Sequence, residues 1–218
     1  DFSFISQRGE NLANYSSMYR SGIPASGHVL TYAFYDALRS YFHNIGCGDF
    51  FDDIMRKSVG KGTSDILNFS PLMVSSDILN FVSLLEQFKI RSNDLVEDQT
   101  IDSEAMALQT NYLNTLEHLN TFLSNLLKKG KMIPGMTAAL NEKIGLMTSL
   151  LKDSIVGYTK NKLKDVTCNK VFFTGRAFML HQFRKAVSTM LVDNGVVLSE
   201  TDIFYRYDLT KSICTYGA

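Results

Sequence analysis

The chain has 218 residues, of which 45% are hydrophobic and 20% are charged, the balance of an ordinary globular protein. Its 22 basic and 22 acidic side chains cancel, so net charge supplies no general attraction to nucleic acid or to anionic lipid. No apolar run approaches the roughly 20 residues that a membrane-spanning helix requires. Neither nucleic acid nor a membrane span is therefore expected.

The chain starts at Asp1 with neither an initiator methionine nor a basic signal segment. Both ends fall within predicted secondary structure, so we expect the sequence to be part of a larger protein. Its three cysteines, Cys47, Cys168 and Cys214, form no CxxC pair and cannot all be joined in disulfides. Buried, reduced thiols in a cytoplasmic protein are expected. The four histidines are scattered along the chain, so no zinc site is predicted.

The first part of the chain is predicted to form a β-hairpin followed by a helix. Short apolar segments indicate strands over 2–6 and 13–20, and a glycine-bounded loop is expected over 21–27. Residues 29–42 are predicted to be helical because their apolar residues fall on one face.

The middle of the chain is predicted to be mainly helical. The predicted helices cover 48–58, 76–89, 103–128 and 141–164. Ser103 is the expected N-cap of the third of these helices, and Pro134 enforces a break over 130–135. A glycine-rich linker is expected over 60–64, and a turn-rich segment or short strand over 91–102.

The last part of the chain has a strand–helix–strand pattern. Strands are predicted over 170–174 and 203–207 with a helix over 177–192 between them, and Asp208 is expected to cap a further helix. Such a βαβ unit implies parallel strands with helices packed against the sheet. We therefore predict an α/β fold.

The order of these elements predicts two structural parts. The sheet-bearing core is expected to comprise 1–48 and 165–218, with a mainly helical subdomain over 49–164 inserted between them. A purely helical adaptor is an alternative, which an almost absent strand signal in circular dichroism would support.

Two glycine-containing turns are candidates for binding a phosphate or a flat ring. Gly22 and Gly27 bound a loop before a helix, where backbone N–H groups can face a phosphate, although the pattern GxxxxGK[ST] is absent. Gly175 ends a predicted strand, so its lack of a side chain allows a ring to approach the backbone. The guanidinium of Arg176 can stack on such a ring. An ordinary strand–helix turn is the alternative explanation of both features.

Three polar residues near the end of the predicted helix 76–89 form another candidate pattern. Glu86, Lys89 and Asn93 occur at i, i+3 and i+7, which places them on one helical face. A carboxylate and an ammonium on that face can hold ribose hydroxyls and a ring nitrogen. The alternative is a solvated ion pair between Glu86 and Lys89, which stabilises a helix by roughly 0.2–0.5 kcal/mol.

Five short segments follow one another in an informative order: Asp1-Phe-Ser-Phe-Ile, the loop from Gly22 to Gly27, Leu85-Glu-Gln-Phe-Lys-Ile, Val171-Phe-Phe-Thr-Gly-Arg and Ser212-Ile-Cys-Thr-Tyr-Gly-Ala. In this order they resemble the second half of the ATPase domain in the superfamily of actin, heat-shock chaperones and sugar kinases. There, a hairpin leads to a glycine loop, a helical lobe with an A-E-x-x-K motif, a strand ending in glycines, and a final A-Y-G-A-A segment. The resemblance covers nearly the whole chain.

The resemblance implies an actin-like (ribonuclease H-like) ATPase lobe that forms one wall of a cleft for ATP or ADP with Mg²⁺. By this resemblance, the nucleotide would be faced by Gly22, Ser26 and Gly27 at the phosphates, by Glu86, Lys89 and Asn93 at the ribose and base, and by Gly175 and Arg176 at the adenine. The superfamily's other phosphate loop, Asp-Gly-Gly-Gly-Thr, would precede Asp1. The chain alone is thus expected to bind nucleotide weakly and to lack ATPase activity, and no catalytic residue is assigned.

One departure from the superfamily supports a different function. Arg176 stands where the superfamily has a second glycine after the strand. A non-enzymatic protein-interaction module that keeps the fold but has lost nucleotide binding is therefore the alternative hypothesis. The helical middle of the chain, which is rich in Leu and Met, could supply a protein interface. Protein partners or self-assembly are expected under either hypothesis.

Overall fold

The computed structural model describes residues 2–7, 15–23, 27–59, 75–110, 115–162 and 167–205. Within these ranges the protein has a mixed α/β structure that is mostly helical, with small two-stranded sheets. Helices α1 to α7 are Gly27–Asn44, Gly48–Val59, Ser76–Ile90, Asp102–Thr110, Leu116–Lys128, Met136–Lys162 and His181–Asp193. Strands β1 to β6 are Phe2–Gln7, Tyr15–Ser21, Val96–Glu97, Lys131–Met132, Val171–Phe173 and Ile203–Tyr205. Short 3-10 helices cover Arg176–Met179 and Glu200–Asp202.

Helix α1 lies at the centre of the described helices and packs against α2, α3 and α6. Its inward face includes Phe34 and Phe42, which are both fully buried. The ring of Phe42 stacks on that of Phe51 in α2, with the ring centroids 5.3 Å apart. Because burial of one phenylalanine side chain contributes roughly 1.5–3 kcal/mol, these contacts hold α1 firmly against its neighbours.

The predicted N-terminal hairpin is confirmed. Strands β1 and β2 pair antiparallel, with a shift of register between Phe4 and Ile5. The ring of Tyr19 stacks on Tyr158 of α6 at a centroid distance of 3.7 Å, and Phe4 lies 5.0 Å from the same ring. Aromatic packing therefore attaches the hairpin to the C-terminal half of α6.

The helices predicted over 29–42, 48–58 and 76–89 are confirmed as α1, α2 and α3. Their apolar residues recur at helical spacing and face the common hydrophobic cluster, which is why the sequence pattern located them correctly. The linker predicted over 60–64 lies outside the described residues.

The single helix predicted over 103–128 is instead two helices, α4 and α5, with 111–114 outside the described part of the chain. The prediction that Ser103 is an N-cap is wrong. Helix α4 already begins at Asp102, and the amide of Ala105 donates to the carbonyl of Ile101 at 2.9 Å. Ile101 is buried, so its side chain anchors the chain at the start of this helix and leaves Ser103 inside the first turn.

Strands β3 and β4 form a short parallel pair. The sequence predicted a possible strand within 91–102, which contains β3, but did not predict β4. The pairing joins Val96 to Lys131 and Glu97 to Met132. It also explains why α6 begins at Met136 rather than at the predicted position 141. The carboxylate of Glu97 accepts hydrogen bonds from the amides of Gly135 (3.1 Å) and Thr137 (2.8 Å). These are orphan N–H groups at the helix start, so Glu97 stabilises an earlier first turn.

Charge and hydrogen bonding at this strand pair lower the pKa values of two carboxyl groups, those of Glu97 and Asp98. Burial raises the pKa of Glu97, but the amide hydrogen bonds from Thr137 and Gly135 outweigh it, and the pKa lies below its ordinary value. Asp98 accepts from the ammonium of Lys131 at 2.6 Å and from Thr100. These contacts lower the pKa of Asp98 from 3.8 to about 2.

The C-terminal strand–helix–strand unit is confirmed, and β5 and β6 are parallel as predicted, with Phe172 paired to Phe204. The helix predicted over 177–192 is interrupted, however. A 3-10 helix covers Arg176–Met179, and α7 starts only at His181. Leu180 between them has an extended backbone and is buried, so insertion of its side chain into the core breaks the helix. The predicted cap Asp208 lies outside the described residues.

The two parts predicted for the chain share one hydrophobic cluster. Helix α6, which the prediction assigned to the inserted subdomain, packs against both α1 and α7 of the predicted core. The boundary at 164 stays a prediction. Among the described helices, none combines the length and the hydrophobicity needed to cross a membrane.

Two of the cysteines lie in the described residues. Cys47 is buried, Cys168 is half-buried, and both are free thiols. Burial raises the pKa of each thiol, so both favour the neutral form. Cys214 lies outside the described residues.

The lowered pKa of Asp98 predicts a contribution to acid stability. Since its folded-state pKa is below its unfolded value, its stabilisation is complete above about pH 4 and is lost as the pH falls towards 2. Asp98→Asn should therefore flatten the dependence of the unfolding free energy on pH in this window, as measured by urea denaturation.

Lys131→Met should flatten the same window, because it removes the ammonium that lowers the pKa of Asp98. Ser103→Ala, which changes an exposed residue without a titrating group, serves as the control and should keep the wild-type slope. If the unfolding free energies of Asp98→Asn and Lys131→Met both depend on pH as that of the wild type does, this ion pair does not contribute to acid stability.

Candidate functional site

A buried ionic cluster joins α1 to α3. The hydroxyl of Thr31 donates to Oε1 of Glu86 and accepts from Nζ of Lys89 at 3.0 Å. The same ammonium lies 2.6 Å from Oε2 of Glu86. These contacts close a triangle in which a carboxylate, an ammonium and a hydroxyl each bind the other two. We call these three residues the Thr31 triangle.

The three side chains of the triangle differ in their exposure to solvent. Thr31 is fully buried, the side chain of Lys89 is 2% exposed, and that of Glu86 is 20% exposed. An ammonium removed from water loses several kcal/mol of hydration, so Lys89 requires close partners to remain charged. Glu86 is the member of the triangle that reaches the surface.

The glycine at the start of α1 lies beside the turn that follows β5. A Cβ placed on Gly27 would lie 3.5 Å from the Cβ of Ala177, two residues beyond Gly175. Gly175 has a φ of +91°, a conformation that L-residues with side chains rarely adopt. Its carbonyl accepts from the amide of Phe178 at 3.2 Å, which closes the turn into the 3-10 helix.

Gly27 and Thr31 lie one turn apart on α1 and so project to the same side of that helix. A side chain at Gly27 would contact Ala177 in the segment after Gly175, and Thr31 binds Glu86. The structure therefore gathers representatives of three separate sequence patterns around the N-terminal half of α1. Gly27, Glu86 and Gly175 are each partly exposed, whereas Thr31 is fully buried.

The other predicted site residues either are not part of the Thr31 triangle or fall outside the described residues. Gly22 is exposed beyond the end of β2, and Ser26 lies outside the described residues. Asn93 does not continue the helical face of Glu86 and Lys89, because α3 ends at Ile90 and a turn follows.

Arg176 begins the 3-10 helix after Gly175, but its side chain is not among those described. A stacking role for the guanidinium therefore stays a prediction.

Thr31 was missed by the sequence reasoning. Its only local signal is its position four residues after Gly27 on the same helical face. Nothing in that spacing indicates that Thr31 has partners on α3. These partners, Glu86 and Lys89, lie 55 and 58 residues further along the chain.

Two open grooves lie elsewhere on the molecule. A groove of about 610 Å³ follows the C-terminal half of α1, where Tyr41 donates a hydrogen bond to Asp102 at 2.7 Å. Burial, together with this hydrogen bond, raises the pKa of Tyr41. A second groove of about 350 Å³ lies between α3 and α5 and has a polar lining that includes Asn120. Neither groove is lined by the Thr31 triangle or by Gly27.

In the part of the chain that the structure describes, no group of three or more His, Cys, Asp or Glu is arranged to hold a metal ion. Comparison with known proteins adds no assignment: no family model, no curated protein and no solved structure matches the chain.

The triangle predicts strong energetic coupling between Glu86 and Lys89. Glu86→Gln should lower the unfolding free energy by roughly 2–3 kcal/mol, because it leaves a buried ammonium beside a neutral amide. Lys89→Met in the same chain should recover much of this loss, since it removes the uncompensated charge. Urea denaturation of the two single variants and the double variant measures the coupling.

The matched control is the ion pair between Lys129 and Glu104, whose side chains are 49% and 53% exposed. The corresponding changes, Glu104→Gln and Lys129→Met, should each stay within about 0.5 kcal/mol of wild type and should add independently. If Glu86→Gln and Lys89→Met are also additive, the triangle is not a coupled unit.

Proposed function

We propose that the chain forms one wall of the nucleotide-binding cleft of an actin-like or heat-shock-chaperone-like ATPase domain. In this proposal the fold is actin-like, with an inserted helical subdomain. The observation that carries the proposal is the convergence of Gly27, Glu86 and the turn at Gly175 around the start of α1. Three motifs that are distant in sequence support the proposal together because they lie near the start of one helix.

The carboxylate of Glu86 has the properties needed to hold a ribose. An ionised carboxylate is a pure acceptor, so it can bind the hydroxyl groups of the sugar. Thr31 and Lys89 already hold both of its oxygens. Binding to a side chain that is fixed in advance costs less conformational entropy than ordering a mobile one.

The two glycines suit the other parts of a nucleotide. Gly27 is the first residue of α1, and the free N–H groups and positive dipole at a helix start favour an anion such as phosphate. Gly175 carries no side chain, so a flat ring can approach its backbone closely. ATP or ADP would bind as its Mg²⁺ complex, in which the metal is held largely by phosphate oxygens and water.

The alternative function is a non-enzymatic interaction module that keeps the fold without the nucleotide. Arg176 favours it, because the superfamily that the sequence resembles has a second glycine at this position. Both proposals include a cytoplasmic location. Both also include protein partners or self-assembly.

Titration of the 218-residue chain with Mg·ADP, followed by amide NMR, tests the proposal. We expect chemical-shift changes at Gly27, Thr31, Glu86 and Ala177. The Kd should be weaker than about 1 μM, because a single wall supplies only part of the contacts. Glu86→Gln should weaken binding by roughly tenfold, since a charged acceptor becomes a neutral one.

Glu104→Gln removes a carboxylate from an exposed ion pair away from the proposed site and should keep the wild-type Kd. A Kd tighter than about 1 μM would contradict binding to a single wall. No chemical-shift change at about 5 mM ADP would reject nucleotide binding by this chain and favour the interaction module.

A further inference from the structure

We propose that the groove of about 610 Å³ beside α1 docks a basic segment of a partner protein, with a Lys or Arg side chain of that segment paired to Asp36. We call it the α1–α6 groove. The inference uses neither the Thr31 triangle nor nucleotide binding. It goes beyond the proposed function because it states the chemistry of one protein partner and the surface that receives it.

The length and lining of the groove suit a short extended peptide. Its lining includes residues of α1 from Asp36 to Asn44 and residues within 134–143, at and just before the start of α6. The part of α1 from Asp36 to Asn44 is about 12 Å long, which an extended chain covers in about four residues. Ala138 and Ala139 have small side chains in this lining, so a backbone can approach α6 closely.

The charges that line the groove favour a cationic occupant. Three acidic residues, Asp36, Asp102 and Glu142, line it together with one basic residue, Lys143. All three acidic residues are exposed, and the side chain of Glu142 is 77% exposed. The ammonium of Lys143 lies 3.7 Å from Oε1 of Glu142, so it is positioned to compensate that carboxylate first. The groove is therefore acidic, although the chain as a whole has no formal net charge.

Asp36 is the carboxylate that a partner's cation can complete. Within the described part of the chain, neither of the two cations that act on it, Arg39 and Lys143, forms an ion pair with it. Arg39 instead donates two hydrogen bonds to Asp52 at 2.7 and 2.8 Å, and Lys143 lies beside Glu142. Burial raises the pKa of Asp36 even though both cations lower it. An external ammonium or guanidinium would therefore supply a compensation that the fold does not.

A second carboxylate sets the spacing of the partner's basic residues. Asp102 accepts a hydrogen bond from the hydroxyl of Tyr41 at 2.7 Å, which fixes one of its oxygens. Tyr41 is five residues after Asp36 on α1, about 7.5 Å along the helix axis, and its side chain extends further. Two basic residues three positions apart are about 10 Å apart in an extended chain. A segment of the form basic-x-x-basic can thus place one cation at Asp36 and one at Asp102.

The test uses two acetylated and amidated peptides, Lys-Ala-Ala-Lys and Gln-Ala-Ala-Gln, in NMR titrations of the 218-residue chain. The basic peptide should shift the amide signals of Asp36, Tyr41 and Ala139 with a Kd of about 1 mM or tighter. The neutral peptide should bind at least about fivefold more weakly, because it lacks both cations. Asp36→Asn should weaken binding of the basic peptide by about threefold to fivefold and leave that of the neutral peptide unchanged.

Glu104→Gln is the matched control, since Glu104 is an exposed carboxylate that does not line the groove, and it should keep the wild-type Kd. Asp36→Asn should fold as the wild type does, because neither Arg39 nor Lys143 loses an ion pair. If its amide spectrum nevertheless shows misfolding, Glu142→Gln takes its place. That variant changes an exposed carboxylate of the same groove and should weaken binding of the basic peptide by about twofold.

Several outcomes would overturn the inference. No shift of the groove amides at about 5 mM basic peptide would show that the groove docks no such segment. Equal Kd values for the two peptides would show that charge does not select the occupant. Tighter binding of spermidine than of the basic peptide, with the same dependence on Asp36, would assign the groove to a small aliphatic polyamine.

Shifts of the same amides that depend on protein concentration, without any peptide, would assign the groove to a second copy of the chain. None of these results bears on nucleotide binding, which the titration with Mg·ADP tests separately.

Discussion

The buried ammonium of Lys89 is the constraint on which the arrangement of α1 and α3 depends. The side chain of Lys89 is 2% exposed, on a helix whose other buried residues, including Phe81 and Phe88, are apolar. A charge in such a setting requires close compensation, and Glu86 and Thr31 provide it. Because Thr31 belongs to α1, only a narrow range of rotations of α3 against α1 satisfies the ammonium.

Helix α1 transmits this constraint to the rest of the molecule. It packs against α2, α3 and α6, and its first residue, Gly27, lies against the segment after β5. The proposed site is thus carried by helices that are fixed in a common core rather than by loops alone. A site supported in this way keeps its geometry without a ligand, which is the condition for the carboxylate of Glu86 to be oriented in advance.

Sequence patterns located elements whose signal is repeated and missed those whose signal is brief or non-local. The helical period over α1 and α3 spans several turns, whereas β3 and β4 are two residues each and have no period to detect. The spacing of Glu86 and Lys89 indicated either a ligand-binding face or a solvated ion pair, and only the structure shows that the Lys89 side chain is buried. Leu180 likewise interrupts a helix because its side chain enters the core, which no local propensity expresses.

The energetics of the triangle bear on why such an arrangement occupies a core position. A well-packed apolar residue in place of a buried ion pair is often neutral or stabilising, so stability alone is a weak reason for Lys89 and Glu86 to be ionic. The graded exposure offers a different reason. The hydroxyl and the ammonium are buried, and the side chain of Glu86, at 20% exposed, is the most accessible of the three. A partly buried ion pair is costly as a structural element, and under the proposed function it is retained because the carboxylate holds hydroxyl groups of a nucleotide.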